Sequence, residues 1–316
     1  MWTWSKLPLP SGSTPSGSSP SSEISFFPMY DACIQRVQHG HQAADIIYHQ
    51  FPFWPVSPMS CRPSIHASSV MRIAVLDSSF NPPTLAHLAL ASSSYPGSET
   101  DPEKDYDAVL LLLSVRNADK QLSPGDASYS QRLEMMVTLA RQITHLNPAV
   151  AITNEPTFIG KSKALHAILT SLLGIRLDRS VGSGGDLSPP RLVFLQGMDT
   201  LERMLSPRYY DSEAAMYSAL ETFFSAQEDD CSIVCARRLI SDAPVEGELE
   251  KEQRVMQKIQ EITTPDRVVI VDIDDGVKSI SSSEVRRRIK AGDESWRQMI
   301  PKSVADCIDT HNLYCD

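Results

Sequence analysis

Residues 72–88 read RIAVLDSSFNPPTLAHL. Arg72–Leu76 is a short run of β-branched and aliphatic residues, the pattern of a strand covered on both faces. It gives way to small residues, Asp77-Ser78-Ser79, and then to Pro82-Pro83. Two prolines forbid helix before them but suit a first helical turn, where backbone N–H groups have no intrahelical partner. The stretch therefore predicts a strand, a tight loop and a helix over about Thr84–Ser93. Such a helix N-terminus is a ready place for phosphate oxygens. Thr84 and His87, three apart, share a face of the first turn, and an imidazole there can donate to a phosphate.

Outward from this stretch the pattern repeats. Strand-like runs occur at Ala108–Leu113, Val150–Thr153, Arg191–Gln196, Cys231–Cys235 and Arg267–Ile273. Helical periodicity lies between them, at about Tyr129–Ile143, Ser162–Leu173, Asp211–Phe224 and Glu248–Glu261. Repeated strand–helix alternation predicts an α/β class fold, a doubly wound, mainly parallel sheet with right-handed crossovers. One domain is expected over 71–316. Gly174–Pro190 reads as a surface loop, and its glycines do not spell G-x-G-x-x-G after a strand, which rejects a dinucleotide fingerprint. Ligands of such sheets bind beyond the carboxyl ends of the strands, so the residues after Leu76, Leu113, Gln196 and Ile273 are the ones to inspect.

Near the other end of the chain, Ser281 followed by Glu284 fits a capping box and places a helix start. Val285 and Ile289, four apart, should face inward. Ser282 and Arg286, also four apart, share another face near the positive end of the helix dipole. A hydroxyl, open N–H groups and a guanidinium at one helix end can grip a polyphosphate, since Arg donates to oxyanions as a fork.

Composition bounds the reading. The chain has 316 residues, 29 Lys+Arg against 39 Asp+Glu, and a formal charge of −10. With 41% hydrophobic and 22% charged residues it has the balance of a globular chain. No apolar run is long enough to span a membrane. The acidic balance argues against nucleic acid or anionic lipid as partner, because both are held by excess Lys and Arg. Six cysteines without a C-x-x-C pair fit a reducing compartment rather than a disulfide scaffold or zinc site. Residues 7–22 are a Pro/Ser/Gly tract, and 23–70 carry Pro52, Pro55, Pro58 and Pro63 without sustained periodicity. Residues 1–70 are therefore expected to be a largely disordered extension. Too few basic residues precede Arg36 for a transit peptide. His39-Gly40-His41 lacks partners at metal-ligand spacing.

Ser79-Phe80-Asn81-Pro82 with Thr84-x-x-His87 resembles the first motif of the nicotinamide and nicotinic acid mononucleotide adenylyltransferases, nucleotidyltransferases that carry G-S-F-N-P-x-T-x-x-H. Ile280-Ser281-Ser282-Ser283-Glu284-Val285-Arg286 is similar to their second motif, I-S-S-T-x-I/V-R, with Ser283 in place of Thr. Gln196-Gly197-Met198-Asp199 resembles the family's ribose-binding G-x-D segment. Ser114–Lys120 resembles its loop with a phosphate-contacting lysine, and the tail from Ile300 to Tyr314 is similar to its C-terminal ending. The resemblance covers 72–316.

The resemblance implies a Rossmann-like nucleotidyltransferase fold. It also implies in-line attack of a mononucleotide 5′-phosphate on the α-phosphorus of ATP, with release of pyrophosphate. His87 and Arg286 would be catalytic. ATP would be held by Ser79, Phe80, Thr84, His87, Lys120, Gly197, Asp199, Ser281, Ser282 and Arg286, with Mg²⁺ bound alongside. Ser78, Ser79 and Phe158 would meet the pyridine mononucleotide. Two departures stand out: Ser78 replaces the family's Gly, and the segment Thr153–Lys161 has no Trp where the family stacks the pyridine ring. A CTP-using cytidylyltransferase and an ATP-binding regulatory protein without an acceptor site are the alternatives. Cytosol, with nuclear access, is the expected location. Oligomeric state is not legible.

Overall fold

The run at 72–76 becomes the middle of a mixed sheet in the computed structural model, which describes residues 26–56, 70–101, 104–116, 125–180, 189–237, 246–274 and 276–315. The strands are β1 (Ala44–His49), β2 (Arg72–Asp77), β3 (Ala108–Ser114), β4 (Pro148–Thr153), β5 (Arg191–Gly197), β6 (Ser232–Arg237) and β7 (Val268–Asp272). The helices are α1 (Phe27–Gln38), α2 (Leu85–Ala91), α3 (Tyr129–Ala140), α4 (Phe158–Ser180), α5 (Met198–Met204), α6 (Glu213–Phe224), α7 (Glu246–Gln260), α8 (Ser282–Lys290) and α9 (Lys302–His311).

The strand order is β1-β4-β3-β2-β5-β6-β7. All neighbours from β4 to β7 pair parallel, with Val75 opposite Leu110 on one side and Phe194 on the other. The chain leaves β2 toward β3 and β4, then returns to β5 on its opposite side, which is the doubly wound arrangement expected from the alternation.

Each strand feeds two cores, because successive side chains point to opposite faces. On one face Ala74, Leu76, Leu111 and Val193 pack with Tyr30, Leu90, Leu133 and Met136 from α1, α2 and α3. On the other, Ile73, Val75, Leu110 and Phe194 pack with Leu165, Leu201, Phe223 and Ile259 from α4 to α7. A third cluster joins α8 and α9 to α3 through Val285, Trp296, Val304, Ile308 and Met135. No helix among the described residues is long and apolar enough to cross a membrane.

Two expectations are corrected. Residues 26–56 are not a disordered extension. The strand β1 runs antiparallel to β4, pairing Ala44 with Thr153, and covers what would otherwise be an open sheet edge. Tyr30, Ile34 and Val37 of α1 are buried at helical spacing, and Trp54 is fully buried with its indole N–H on the Asn147 carbonyl at 2.9 Å. The folded unit thus begins well before Met71. Likewise Gly174–Ser180 continues α4 rather than opening a loop, since Leu165, Leu169 and Leu173 keep one helix face against the sheet.

A chain begun at Met71 would expose the β4 edge and the surface that α1 and Trp54 cover. It should melt well below the full chain and aggregate, and Trp54→Ala alone should cost about 3–5 kcal/mol. Equal melting temperatures for the truncated and full chains would contradict the assignment of 26–56 to the fold.

Candidate active site

The strand order reverses at β2, where the crossovers depart to opposite sides, so a crevice opens beyond the carboxyl ends of β2 and β5. The loop after β2 lies at this end of the strands. Phe80 sits at φ 45°, in the left-handed region, with its ring fully buried in the core and 5.2 Å from the His87 ring. A non-glycine residue in that conformation is held there by its surroundings. The ring therefore anchors the loop, and only the backbone at Phe80 can face a ligand.

Thr84 caps α2, and the cap and the imidazole are one construction. The Thr84 N–H donates to His87 Nδ1 at 3.1 Å, the Thr84 hydroxyl lies 2.8 Å from the same nitrogen, and the His87 N–H donates back to Thr84 Oγ1 at 3.5 Å. The imidazole thus takes the place that Glu or Gln has in an ordinary capping box. Its other nitrogen, Nε2, is 2.9 Å from Ser78 Oγ. The ring is fixed between Ser78, just after β2, and Thr84, the cap of α2.

The second motif reaches this loop from the far end of the chain. Ser281 caps α8 by accepting the Glu284 N–H at 3.2 Å. Only half of the expected box forms, since the Glu284 carboxylate turns to Arg287 and Arg288 at 2.6–2.8 Å. Those guanidiniums hold its carboxyl down at about 2. Val285 is buried and Ile289 packs beside it, as the spacing predicted. On the other face, the Ser282 hydroxyl donates to the Pro82 carbonyl at 2.7 Å and Arg286 Nη1 donates to the Asn81 carbonyl at 2.5 Å. Thr84, His87, Ser282 and Arg286 are thereby gathered around one short loop.

Several residues that the motifs do not mark complete the arrangement. Asn81 Nδ2 donates to Asp126 at 2.7 Å, while its Oδ1 accepts from the Ala127 N–H at 3.3 Å and from the Tyr314 hydroxyl at 2.8 Å. Asp126 also lies 3.7 Å from Arg132 and 3.9 Å from Arg286. Arg132 is buried, which pushes its pKa below the usual value, and it donates to the carbonyls of Ala127 and Ser79. Burial pushes the Tyr314 phenol up, keeping it a donor. Two guanidiniums against one carboxylate leave this corner positive in a chain of net charge −10.

The remaining expected residues fall into three places. Ser79 is exposed in the loop beside Ser78. At the end of β5, Gly197 caps α5 with open space where a side chain would stand, and Asp199 is exposed on the first turn. Phe158 starts α4, with its ring 5.5 Å from Phe194 and the Lys161 ammonium 5.3 Å from its centre. Lys161 is itself buried and paired with Asp77 at 2.6 Å. Lys120 lies outside the described residues. A cavity of about 330 Å³ between Glu221, Phe224, Ile262 and Arg267 is at the opposite, amino-terminal end of the strands and plays no part here.

No protein-family model matches the chain. A Schizosaccharomyces pombe protein named as a candidate nicotinamide mononucleotide adenylyltransferase is 31% identical over 251 residues, spanning 77% of this chain and 86% of its own. Among solved structures, the chain is similar to a Plasmodium falciparum nicotinic acid mononucleotide adenylyltransferase complexed with NaAD, at 15% identity and a TM-score of 0.46. It is also similar to that organism's nicotinic acid mononucleotide adenylyltransferase complexed with APC, at 13% identity and a TM-score of 0.43. Each of these covers 77% of this chain and 97% of the other.

The tail residue Tyr314 gives a direct check of the loop's anchoring. Tyr314→Phe removes one buried hydrogen bond to Asn81 and should cost about 1 kcal/mol, lowering the melting temperature by about 2–4 °C. An unchanged melting curve would show that the bond does not hold the loop.

Proposed function

The chain belongs to the nicotinamide mononucleotide adenylyltransferase family, and from that premise we propose how its residues join ATP to a pyridine mononucleotide. The chain is a nucleotidyltransferase of NAD synthesis. A 5′-phosphate oxygen of nicotinamide mononucleotide, or of its acid form, attacks the α-phosphorus of ATP. A new P–O bond forms, the bond to the bridging oxygen breaks, and its electron pair leaves with pyrophosphate.

The reaction needs no protein nucleophile. Holding both phosphates in line can supply roughly 7–11 kcal/mol, and placed donors stabilise the charge that develops. In this reading His87 and Arg286 face the reacting phosphates, Ser281, Ser282 and the loop backbone at Ser79 and Phe80 hold the triphosphate, and Thr84 fixes the imidazole. Gly197 leaves room for the adenosine ribose and the Asp199 carboxylate accepts from its hydroxyls. Phe158 offers an aromatic face to the pyridine ring, and Lys120 contacts a phosphate.

Mg²⁺ would arrive as part of the substrate, on the phosphates of ATP, where it would offset their charge. Among the described residues no three His, Cys, Asp or Glu side chains stand together to hold a metal. The donors around the loop are instead hydroxyls, an imidazole and a guanidinium, groups that serve phosphate oxygens. The observation that carries this reading is that the Ser282 hydroxyl and the Arg286 guanidinium seat on the carbonyls of Pro82 and Asn81, beside His87.

Purified full chain with ATP, Mg²⁺ and nicotinamide mononucleotide should yield the dinucleotide and pyrophosphate, and CTP should not replace ATP. No dinucleotide from either the amide or the acid mononucleotide would overturn the reading. His87→Ala should lower kcat at least ~10²-fold with the fold intact, the usual loss for one oxyanion donor. Phe158→Ala should raise KM for the mononucleotide while leaving KM for ATP unchanged. An effect on ATP alone would place the acceptor elsewhere.

A further inference from the structure

The hydrogen-bond pattern around the imidazole assigns a role to Ser78, the residue that stands where the resembled family has glycine. His87 Nδ1 accepts the Thr84 backbone N–H at 3.1 Å, and a backbone N–H can only donate. In the neutral ring Nδ1 therefore carries no hydrogen, and the Thr84 hydroxyl at 2.8 Å donates to it as well. The ring hydrogen is then on Nε2. That nitrogen is 2.9 Å from Ser78 Oγ, so Nε2–H donates to the serine oxygen. The Thr84 backbone N–H thus fixes the tautomer, and the two hydroxyls, at Thr84 and Ser78, hold the plane of the imidazole.

We propose that Ser78 is a positioning residue for the adenylyl transfer, holding the His87 ring through Nε2 in the orientation that presents its hydrogen to an incoming phosphate oxygen. The proposal rests on the reading of His87 given above. Glycine at this position has no side-chain oxygen, so the arrangement depends on the serine hydroxyl. A ring held at one nitrogen only can rotate about its χ2, and a partner at the second nitrogen removes that freedom, much as an outer partner orients a metal-bound histidine. The place of Ser78 supports the role. It follows directly on β2, its N–H donates to the Leu112 carbonyl at 3.3 Å, and its side chain is half-buried, so the hydroxyl is carried by the sheet rather than by a loose loop.

A double-mutant cycle on the full-length enzyme separates this role from a structural one. Ser78→Ala should lower kcat about tenfold with KM for ATP and for nicotinamide mononucleotide changed less than twofold. Ser78→Gly, which restores the family's residue, should lose as much. In the His87→Ala background, Ser78→Ala should change kcat less than twofold, because the serine then has no ring to hold. The melting temperatures of Ser78→Ala and the parent chain should agree. A full kcat in Ser78→Ala or Ser78→Gly, an undiminished tenfold loss in the His87→Ala background, or a loss matched by a fall in melting temperature would each overturn the proposal. Dinucleotide formation by the parent chain is measured first. Its failure would remove the functional reading itself, whereas a normal parent rate with an additive cycle removes only the role of Ser78.

Discussion

The site depends on two backbone carbonyls. Those of Asn81 and Pro82 point out of the loop after β2 and receive Arg286 and Ser282 from a helix about 200 residues later in the chain. A hydrogen bond from a charged donor contributes about 1.5–3 kcal/mol, enough to decide where α8 docks. Docking α8 there brings Val285 into the third core, and the core in turn seats Trp296 and the tail. The Tyr314 hydroxyl then closes the circle by donating to the Asn81 side chain. The loop, the helix and the tail are thus joined, and the groups proposed to face phosphate inherit their positions from that junction.

Groups that stabilise the fold are also those proposed to serve the chemistry. Thr84 and His87 satisfy the first turn of α2 and, by the same contacts, fix an imidazole. Arg132 is too buried to reach solvent freely, yet it and Arg286 outweigh Asp126 and keep one corner of an acidic protein positive. This resolves the tension between a net charge of −10 and a polyanionic substrate: local placement, not total charge, sets the field a bound phosphate meets.

Much of this was legible in the sequence wherever a local pattern carried it. The β2 strand, the proline-led entry to α2 and the Ser281 cap each depend on neighbours in the chain. So does the face shared by Ser282 and Arg286. Asp126, Arg132 and Tyr314 were not legible as site residues, because only the tertiary fold brings them to Asn81. The α1–β1 segment was missed for a different reason. Tyr30, Ile34 and Val37 do recur at helical spacing, but β1 is an edge strand whose alternation breaks at the buried pair Ile46-Ile47, where its pairing with β4 is irregular, and Pro52 and Pro55 follow it in a turn. A proline-rich surrounding hid two short elements whose stability comes from packing on β4 and α3. The length of α4 was misjudged because Gly174 suggested a stop, whereas the buried leucines before it carry the helix on.

In the proposed site two peptides far apart in sequence close on one polyphosphate. Hydrogen–deuterium exchange on the full chain, with and without a non-hydrolysable ATP analogue and Mg²⁺, measures this at both peptides at once. Amides in 78–88 and in 280–288 should gain protection together, with the same dependence on analogue concentration. Protection confined to one of the two segments, or appearing at different concentrations, would contradict it.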